Sequence, residues 1–262
     1  MTEPDEPEVL VYDDPDALAE AAAERVKAGI VAGVRERGAA HFAVSGGSSP
    51  VPLYRLLATR PDIPWVDVHL WWVDDRFVPP DHPDSNVALV RDTLLQADVE
   101  TTHGAPVPAH NVHPFPTLDG LQAGRGPGWV AETYAEEIGR HVPAEDGRPR
   151  FDVMLLGIGP DGHTMSVFPG SPALAPDAPL ALAVPAPRDV EPHLPRVTLQ
   201  AHVADDARTL LVLVPDGAKA AILAGVLEGP RDEQALPAQV ARRAGALWLL
   251  TRAAAAELRR SS

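Results

Sequence analysis

The sequence predicts an α/β protein with a mostly parallel central sheet flanked by helices. Short apolar runs alternate with helical stretches through most of the 262 residues, as in chains built from β-α-β units. Several of these runs are continuously apolar, which is typical of parallel strands buried on both faces. No repeat or evident linker divides the chain. We therefore expect a single three-layer, Rossmann-like domain over residues 1–262.

The first half of the chain shows this alternation of strands and helices. Apolar side chains recur at helical spacing in an alanine-rich stretch that Gly38 terminates, and later stretches are assigned by the same criteria. The predicted elements are strand 9–12, helix 17–37, strand 39–44, helix 51–58, strand 66–73, a helix from residue 85 or 86 to about 97, a loop-rich segment 98–128, and helix 129–141.

The second half begins with a loop and the most continuously apolar strand. Dense prolines between residues 172 and 195 exclude long helices there but allow short strands. The predicted elements are loop 143–149, strands 153–156, 180–184, 196–200 and 209–214, a helix from 215 to about 227, strand 247–251 and a short helix to residue 260.

Composition narrows the possible partners. The net charge of −15 argues against nucleic acid, whose phosphates select a basic face, but a few local cations can still bind a small phosphorylated ligand. The chain has no cysteine, which excludes disulfides, thiolate catalysis and cysteine-ligated zinc. The acidic N-terminus lacks a signal-peptide pattern, and no apolar run approaches the roughly 20 residues that span a bilayer. We expect a cytoplasmic protein without a membrane partner, as a monomer or weak homodimer.

The stretch at residues 151–170 is the first candidate for chemistry. A buried strand breaks into a glycine-rich loop that carries Asp161 and His163. Loops at the carboxyl ends of strands line the ligand crevice of an open α/β sheet. The loop also matches G-x-G-x-x-G, but the Asp161 carboxylate, the missing N–H of Pro160 and the lack of a downstream acidic strand end argue against a dinucleotide. No cofactor is expected.

Two other strand ends carry polar residues. The sequence SGGSSP at residues 45–50 precedes a helix, so its backbone N–H groups suit either a phosphate or a plain helix-capping turn. Asp74, Asp75 and Arg76 end the third strand, either as ligand-binding groups or as a surface ion pair. Lys219 lies where a helix begins, and there an anionic ligand or solvent exposure would offset its unfavourable position. His103, His110 and His113 show no zinc-binding pattern, so no metal site is expected.

Together these motifs resemble the 6-phosphogluconolactonases of the glucosamine-6-phosphate isomerase/6-phosphogluconolactonase family. The resemblance is ordered and covers residues from about 9 to 252, with Asp75, Ser49 and Met165 as small departures from the family pattern. The matching motifs are SGGSSP (45–50), DDRFVP (74–79) with His82, Ser85 and Asn86, GIGPDGH (157–163) with FPG (168–170), PRVTL (195–199) and GAK (217–219). The related glucosamine-6-phosphate deaminases carry a Glu five residues after the His, where this chain has Phe168.

The resemblance implies hydrolysis of 6-phospho-D-glucono-1,5-lactone to 6-phospho-D-gluconate, in the oxidative branch of the pentose phosphate pathway. His163 would act as the general base that activates water. Asp161 would orient His163 or only shape its loop. Arg76 would steady the oxyanion, and Asp74 would bind sugar hydroxyls or support Arg76. The residues expected to bind the phosphate are Ser45, Gly46, Gly47, Ser48, Arg196 and Lys219.

Overall fold

The computed structural model describes residues 6–96 and 104–259. Its strands are β1 (Glu8–Tyr12), β2 (Ala40–Val44), β3 (Val68–Trp72), β4 (Asp74–Arg76), β5 (Val112–His113), β6 (Ala144–Glu145), β7 (Arg148–Pro149), β8 (Val153–Leu156), β9 (Ala181–Val184), β10 (Arg196–Leu199), β11 (Thr209–Val214) and β12 (Ala246–Thr251). Its α-helices are α1 (Pro15–Arg37), α2 (Val51–Ala58), α3 (Asn86–Val90), α4 (Thr117–Gln122), α5 (Pro127–His141), α6 (Val203–Asp206) and α7 (Ala220–Glu228).

Seven strands form the central sheet in the order β1-β12-β11-β8-β2-β3-β5, and every pairing in it is parallel. This confirms the predicted α/β class. β2, β8 and β11 are buried almost throughout, in agreement with their continuous apolar sequences. Within the described ranges, no helix combines the length and apolar character that crossing a bilayer requires.

The strand order changes direction between β2 and β8. From β2 the chain builds outward through β3 to β5, whereas from β8 it builds the other way through β11 to β12. The loops that follow β2 and β8 therefore diverge and leave a crevice at the carboxyl edge of the sheet. In open α/β sheets this switch point is where ligands bind.

A second, antiparallel sheet lies beside this crevice. It has the order β4-β10-β9, and its register places Arg196 opposite Arg76 and Thr198 opposite Asp74. The sequence did not predict this sheet, because three-residue β4 looks like the loop that ends β3. Its pairing joins segments that are far apart in the chain.

At the amino edge of the central sheet, Asp152 holds several elements together. Its buried carboxylate accepts hydrogen bonds from the Arg37 guanidinium at 2.5 Å and from the His41 backbone N–H at 2.8 Å, and Arg208 lies 3.6 Å away. A buried carboxylate needs such partners to offset its lost hydration. The cluster ties α1, β2 and β8 together at the edge opposite the crevice.

Four predicted elements need correction. Segment 98–128 is less loop-rich than expected, since it contains β5 and α4. The predicted loop 143–149 holds the β6–β7 hairpin. The predicted helix to about residue 97 is α-helical only to Val90 and then π-helical over Arg91–Leu95. The predicted C-terminal helix is wrong over residues 252–257, which form turns, and residue 260 lies outside the described residues.

Candidate active site

A cavity of about 380 Å³ opens at the carboxyl ends of β2 and β8. It is bordered by the loops after both strands, by β4 and β10, and by the turn that precedes α7. The predicted site residues that line it are Ser45, Gly46, Gly47, Ser48, Asp74, Arg76, His163, Arg196 and Lys219. Asp161 does not line the cavity, but it contacts His163 from behind.

The loop after β8 holds His163 through Asp161. The Asp161 Oδ1 atom lies 2.5 Å from His163 Nδ1 and accepts the His163 backbone N–H at 3.1 Å. Burial alone would raise the pKa of Asp161, but the hydrogen bonds and charge of His163 outweigh it and lower that pKa. With Nδ1 donating to a carboxylate, the Nε2 atom of neutral His163 remains an acceptor.

Gly159 is needed for this geometry. A Cβ atom at Gly159 would lie 2.0 Å from His163 Nδ1, so any side chain there would displace the imidazole. The Gly159 N–H also donates to the His163 backbone carbonyl at 2.7 Å and closes the loop. The glycine-rich sequence after β8 therefore serves to fold the loop back over its own histidine.

The loop after β2 is anchored by Tyr54 of α2. The Tyr54 hydroxyl donates to the Ser45 carbonyl at 2.7 Å and accepts the Ser45 N–H at 3.1 Å. Burial raises the pKa of Tyr54, so this hydroxyl stays protonated. No side chain caps the start of α2 at Pro50. The Ser45 N–H is thus occupied, and Gly46, Gly47 and Ser48 supply the backbone that faces the cavity.

Three cations converge on the cavity. Arg76 and Arg196 face each other across the β4–β10 pair, where like charges are destabilising unless an anion joins them. Among the described residues, neither arginine nor Lys219 forms an ion pair with a carboxylate. Burial lowers the pKa of Lys219, against the opposing effect of Asp216, and burial likewise lowers the pKa of Arg196, against the opposing charge of Asp74. The arrangement suits an anionic ligand.

Both arginines are held by the protein backbone. The Arg76 Nη1 atom donates to the Asp84 carbonyl at 2.5 Å, and the Arg196 Nη2 atom donates to the Pro192 carbonyl at 3.0 Å. The Arg196 guanidinium also lies 5.5 Å above the ring of Phe168. The Nε atoms of both arginines are buried and lack hydrogen-bond partners in the described structure. Carbonyl anchors fix the guanidinium groups without neutralising them.

Asp74 is occupied by neighbouring side chains. Its Oδ2 accepts the Ser166 hydroxyl at 2.6 Å, and its Oδ1 accepts the Asn86 amide at 3.2 Å. No hydrogen bond joins Asp74 to Arg76 in the described residues. Asp74 was expected either to bind sugar hydroxyls or to support Arg76. No contact in the described residues supports the second role, whereas the Asp74 carboxylate does border the cavity.

The chain matches the family model for glucosamine-6-phosphate isomerases/6-phosphogluconolactonase over residues 13–249. It is 36% identical to a 6-phosphogluconolactonase of Synechocystis sp. over 256 residues, which are 97% of this chain and 99% of the relative. The chain belongs to this family. Membership confirms the resemblance drawn from the five motifs.

Solved structures agree with this assignment. The 6-phosphogluconolactonase from Trypanosoma brucei superposes with a TM-score of 0.80 at 25% identity, covering 97% of this chain and 99% of that one. A monomeric glucosamine-6-phosphate deaminase gives a TM-score of 0.75 at 19% identity, covering 95% and 99% of the two chains. The second similarity shows the shared fold alone.

Several residues at the site were not predicted as such. Asn86 is predicted as a helix start and as part of the family motif but not as a site residue, yet its side chain borders the cavity and contacts Asp74. No sequence pattern predicts Ser166 as a site residue, and Met165 is predicted only as a departure from the family pattern. Met165 adopts a φ of 53°, an uncommon backbone conformation for a residue with a side chain. The match of SN after DDR to the family motif was the one signal for Asn86.

His110 and His113 lie away from the cavity. His113 stacks on Trp71, with ring centroids 4.1 Å apart, and His110 lies just before β5. His103 falls outside the described residues. Within the described part of the chain, no group of three or more His, Asp or Glu side chains is arranged to hold a metal ion.

Asp75 has a structural role next to the cavity. Its buried carboxylate accepts the backbone N–H groups of Arg76 and Asn86, each at 2.7 Å, and the Ser85 hydroxyl at 3.1 Å. Burial raises the pKa of Asp75 to about 6 despite these hydrogen bonds. Asp75 thus connects the end of β4 to the start of α3 and is not a surface ion pair.

Proposed function

We propose that the protein hydrolyses 6-phospho-D-glucono-1,5-lactone to 6-phospho-D-gluconate, in the oxidative branch of the pentose phosphate pathway. The observation that carries the proposal is the convergence, on one cavity, of a carboxylate-held imidazole and three cations that form no ion pair with a carboxylate of the described residues. Hydrolysis of this substrate needs an activated water and an anchor for phosphate. The family membership and the names of the relatives support the same reaction.

His163 is the proposed general base. Its Nε2 atom takes a proton from water as the water oxygen attacks the lactone carbonyl carbon. The carbonyl becomes a tetrahedral oxyanion, which Arg76 stabilises by its positive charge. When the intermediate collapses, the bond from this carbon to the ring oxygen breaks. The ring oxygen receives the proton from the His163 imidazolium, which regenerates the base.

Asp161 is proposed to orient this base. Its carboxylate accepts from Nδ1, which selects the tautomer with a free Nε2 and stabilises the imidazolium that forms during attack. The same oxygen also accepts the His163 backbone N–H, so Asp161 shapes the loop as well.

Arg196 and Lys219 are proposed to hold the phosphate together with the glycine loop (Ser45, Gly46, Gly47 and Ser48), in which Tyr54 already binds the Ser45 N–H and the backbone of the other three residues faces the cavity. Guanidinium groups bind phosphate oxygens through two parallel hydrogen bonds, and backbone N–H groups of a glycine turn add further donors. The anion would also relieve the repulsion between Arg196 and Arg76 in adjacent strands. Phosphate binding is thus coupled to the position of the catalytic arginine.

The position of Phe168 favours the lactonase over the deaminase. The Phe168 ring lies 4.6 Å from the His163 ring and beneath Arg196, where the deaminases carry a Glu. An aromatic ring cannot exchange a proton with His163. Water activation needs one base, whereas sugar-ring opening in the deaminases also needs that carboxylate.

One assay tests the reaction. The rate of loss of fresh 6-phosphogluconolactone is measured above the spontaneous background, in parallel with unphosphorylated gluconolactone. We expect fast hydrolysis of the phosphorylated lactone only. Equal rates on both lactones would contradict the phosphate anchor, and no acceleration would contradict the reaction itself. If no acceleration is found, glucosamine 6-phosphate deamination is the next activity to assay.

We also propose that residues 1–262 act as one domain. The edge strand β1 pairs with β12 in the same sheet, so both ends of the described chain join one core. Limited proteolysis that released two stable fragments would contradict this organisation.

A further inference from the structure

The side chain of Asn86 is locked in one orientation. It is 1% exposed, and its Nδ2 atom donates to the Asp74 backbone carbonyl at 2.9 Å and to the Asp74 carboxylate at 3.2 Å. Both partners are acceptors, so only the NH₂ end of the amide can face them. The Oδ1 atom must therefore point the opposite way. It is buried and has no hydrogen-bond donor in the described structure.

The carbonyl end of Asn86 is pressed against the glycine loop. A Cβ atom built on Gly46 would lie 1.8 Å from Asn86 Oδ1 and 2.2 Å from Cγ. These distances are far inside van der Waals contact, so residue 46 must be glycine while Asn86 is in place. The contact is one of shape, since Gly46 offers the amide oxygen only its Cα hydrogens.

The backbone of Asn86 is held as firmly as its side chain. Its N–H donates to buried Asp75 at 2.7 Å, and Ser85 caps the helix that begins there. Asn86 is therefore a rigid part of the α3 start and not an adaptable surface group. A rigid wedge of this kind can determine where the neighbouring loop lies.

A continuous set of contacts joins the two loops of the cavity through Asn86. It runs from Gly46 to the Asn86 amide, then to the Asp74 carboxylate, and then to Ser166, which lies three residues after His163. We infer that Asn86 is a positioning residue that sets the Gly46–Gly47 turn against Asp74 and thereby places the backbone that receives the substrate phosphate. The inference rests on the proposed function only for the phosphate at the glycine loop.

Substitutions at Asn86 test whether it positions the glycine loop or only stabilises the fold. Asn86→Ala should raise KM and weaken inhibition by inorganic phosphate by about ten-fold, within the 100-fold loss that a 1 Å misplacement can cause, with a smaller change in kcat. Asn86→Asp keeps the shape but loses the donor and faces Asp74 with a second carboxylate, so it should be at least as impaired. An aspartate variant that behaves like the wild type would overturn the hydrogen-bonding part of the inference.

Asn111→Ala is the matched control. Asn111 is also buried and donates through Nδ2 to a backbone carbonyl, that of Val66 at 3.2 Å, but it does not border the cavity. We expect it to lower the melting temperature without changing KM or phosphate inhibition. If the two alanine variants change KM equally, the effect of Asn86 is general and the inference fails.

A suppressor variant tests the contact itself. Gly46→Ala alone should severely impair phosphate inhibition, because the new methyl group collides with Asn86. In the Gly46→Ala/Asn86→Ala double variant the methyl group fills the vacated space, so the double variant should bind phosphate no worse than Asn86→Ala alone. Additive losses would overturn the inference, as would a fall in kcat at Asn86→Ala with unchanged phosphate inhibition.

These outcomes remain distinct from a failure of the proposed reaction. Binding of inorganic phosphate, measured by calorimetry, does not depend on turnover, so the Asn86 comparison holds even for a wild-type protein that leaves the lactone intact. A wild-type protein that binds no phosphate would overturn the inference. If Asn86→Ala does not fold, Asn86→Asp and the double variant carry the same comparison, with thermal unfolding as the check on structure.

Discussion

His163 and a second group of histidines differ in what surrounds their rings. His163 borders the cavity and has a carboxylate, Asp161, at 2.5 Å from its Nδ1 atom. The second group, here called the histidine cluster, packs against Trp71 and within itself, outside the lining of this cavity. Its members are His41, His69, His113 and His141.

The surroundings decide what each imidazole can do. Burial, with a smaller effect of the nearby histidines, lowers the pKa of His41 to about 3 and that of His113 to about 4. The Nδ1 atom of His41 accepts from the Trp71 indole at 3.1 Å, as a neutral ring must. The cluster therefore serves as packing, whereas His163 borders the cavity. Histidine count alone does not indicate a catalytic residue, whereas a carboxylate partner beside a cavity supports the proposed role of His163.

The largest expected effect is on His163. His163→Asn should lower kcat by about 10²–10⁴-fold, the usual contribution of a general base, and leave inhibition by inorganic phosphate unchanged. His202→Asn is the matched control, because His202 also pairs with an aspartate, Asp205 at 3.1 Å, but lies outside the cavity. Steady-state kinetics of both variants make the comparison. Equal loss of turnover and phosphate inhibition would contradict the base role.

The histidine cluster should instead make the fold sensitive to acid. The unfolded chain binds a proton at His41 below about pH 6.5, whereas folded His41 does so only near pH 3, so folding stability is complete above pH 6.5 and lost as the pH falls. At pH 5 this loss is about 2 kcal/mol for His41, since each pKa unit is about 1.4 kcal/mol.

Urea unfolding of the wild type and His41→Asn at pH 7.5 and pH 5 measures this loss. Buried Asp75, whose pKa is raised to about 6, opposes the trend because its protonation favours the folded state as the pH falls. That contribution is the same in both proteins and cancels in their difference. A His41→Asn variant that loses as much stability as the wild type would contradict the assignment.

Asp161→Asn sharpens the comparison by removing only the charge beside His163. We expect kcat to fall about ten-fold, because the variant replaces a hydrogen bond to a charged group, worth about 1.5–3 kcal/mol, by a neutral one, worth about 0.5–1.5 kcal/mol. The amide oxygen can still accept the backbone N–H, so the loop keeps its shape. Asp205→Asn in the His202 pair is the control. Unchanged kcat would leave Asp161 with the loop-shaping role alone.

The smallest effect concerns Lys219. Lys219→Ala should raise KM several-fold, up to about ten-fold, with kcat nearly unchanged if its contact is equal in ground and transition states. Lys27→Ala is the control, because Lys27 forms an ion pair with Asp62 on the surface. An unchanged KM would remove Lys219 from the phosphate site.

Local patterns predicted much of the fold and of the cavity lining. The apolar run of β8 and the glycines after it indicated a buried strand and a ligand loop, and the structure has both. The His163–Asp161 contact joins residues two positions apart, so the spacing in the sequence already allowed it. The second sheet could not be predicted, because β4 is three residues long and its partner lies about 120 positions later in the chain.

By itself, the sequence determined the α/β class, the order of the main elements and the loops that carry polar groups, because these depend on side-chain periodicity and on glycine and proline at nearby positions. Only the tertiary structure decided that Arg76 faces Arg196, that Ser166 and Asn86 occupy the carboxylate of Asp74, and that three histidines pack against Trp71 with His69 stacked on two of them. Those contacts depend on strand order and register. Both are set by packing between distant segments, which local periodicity does not encode.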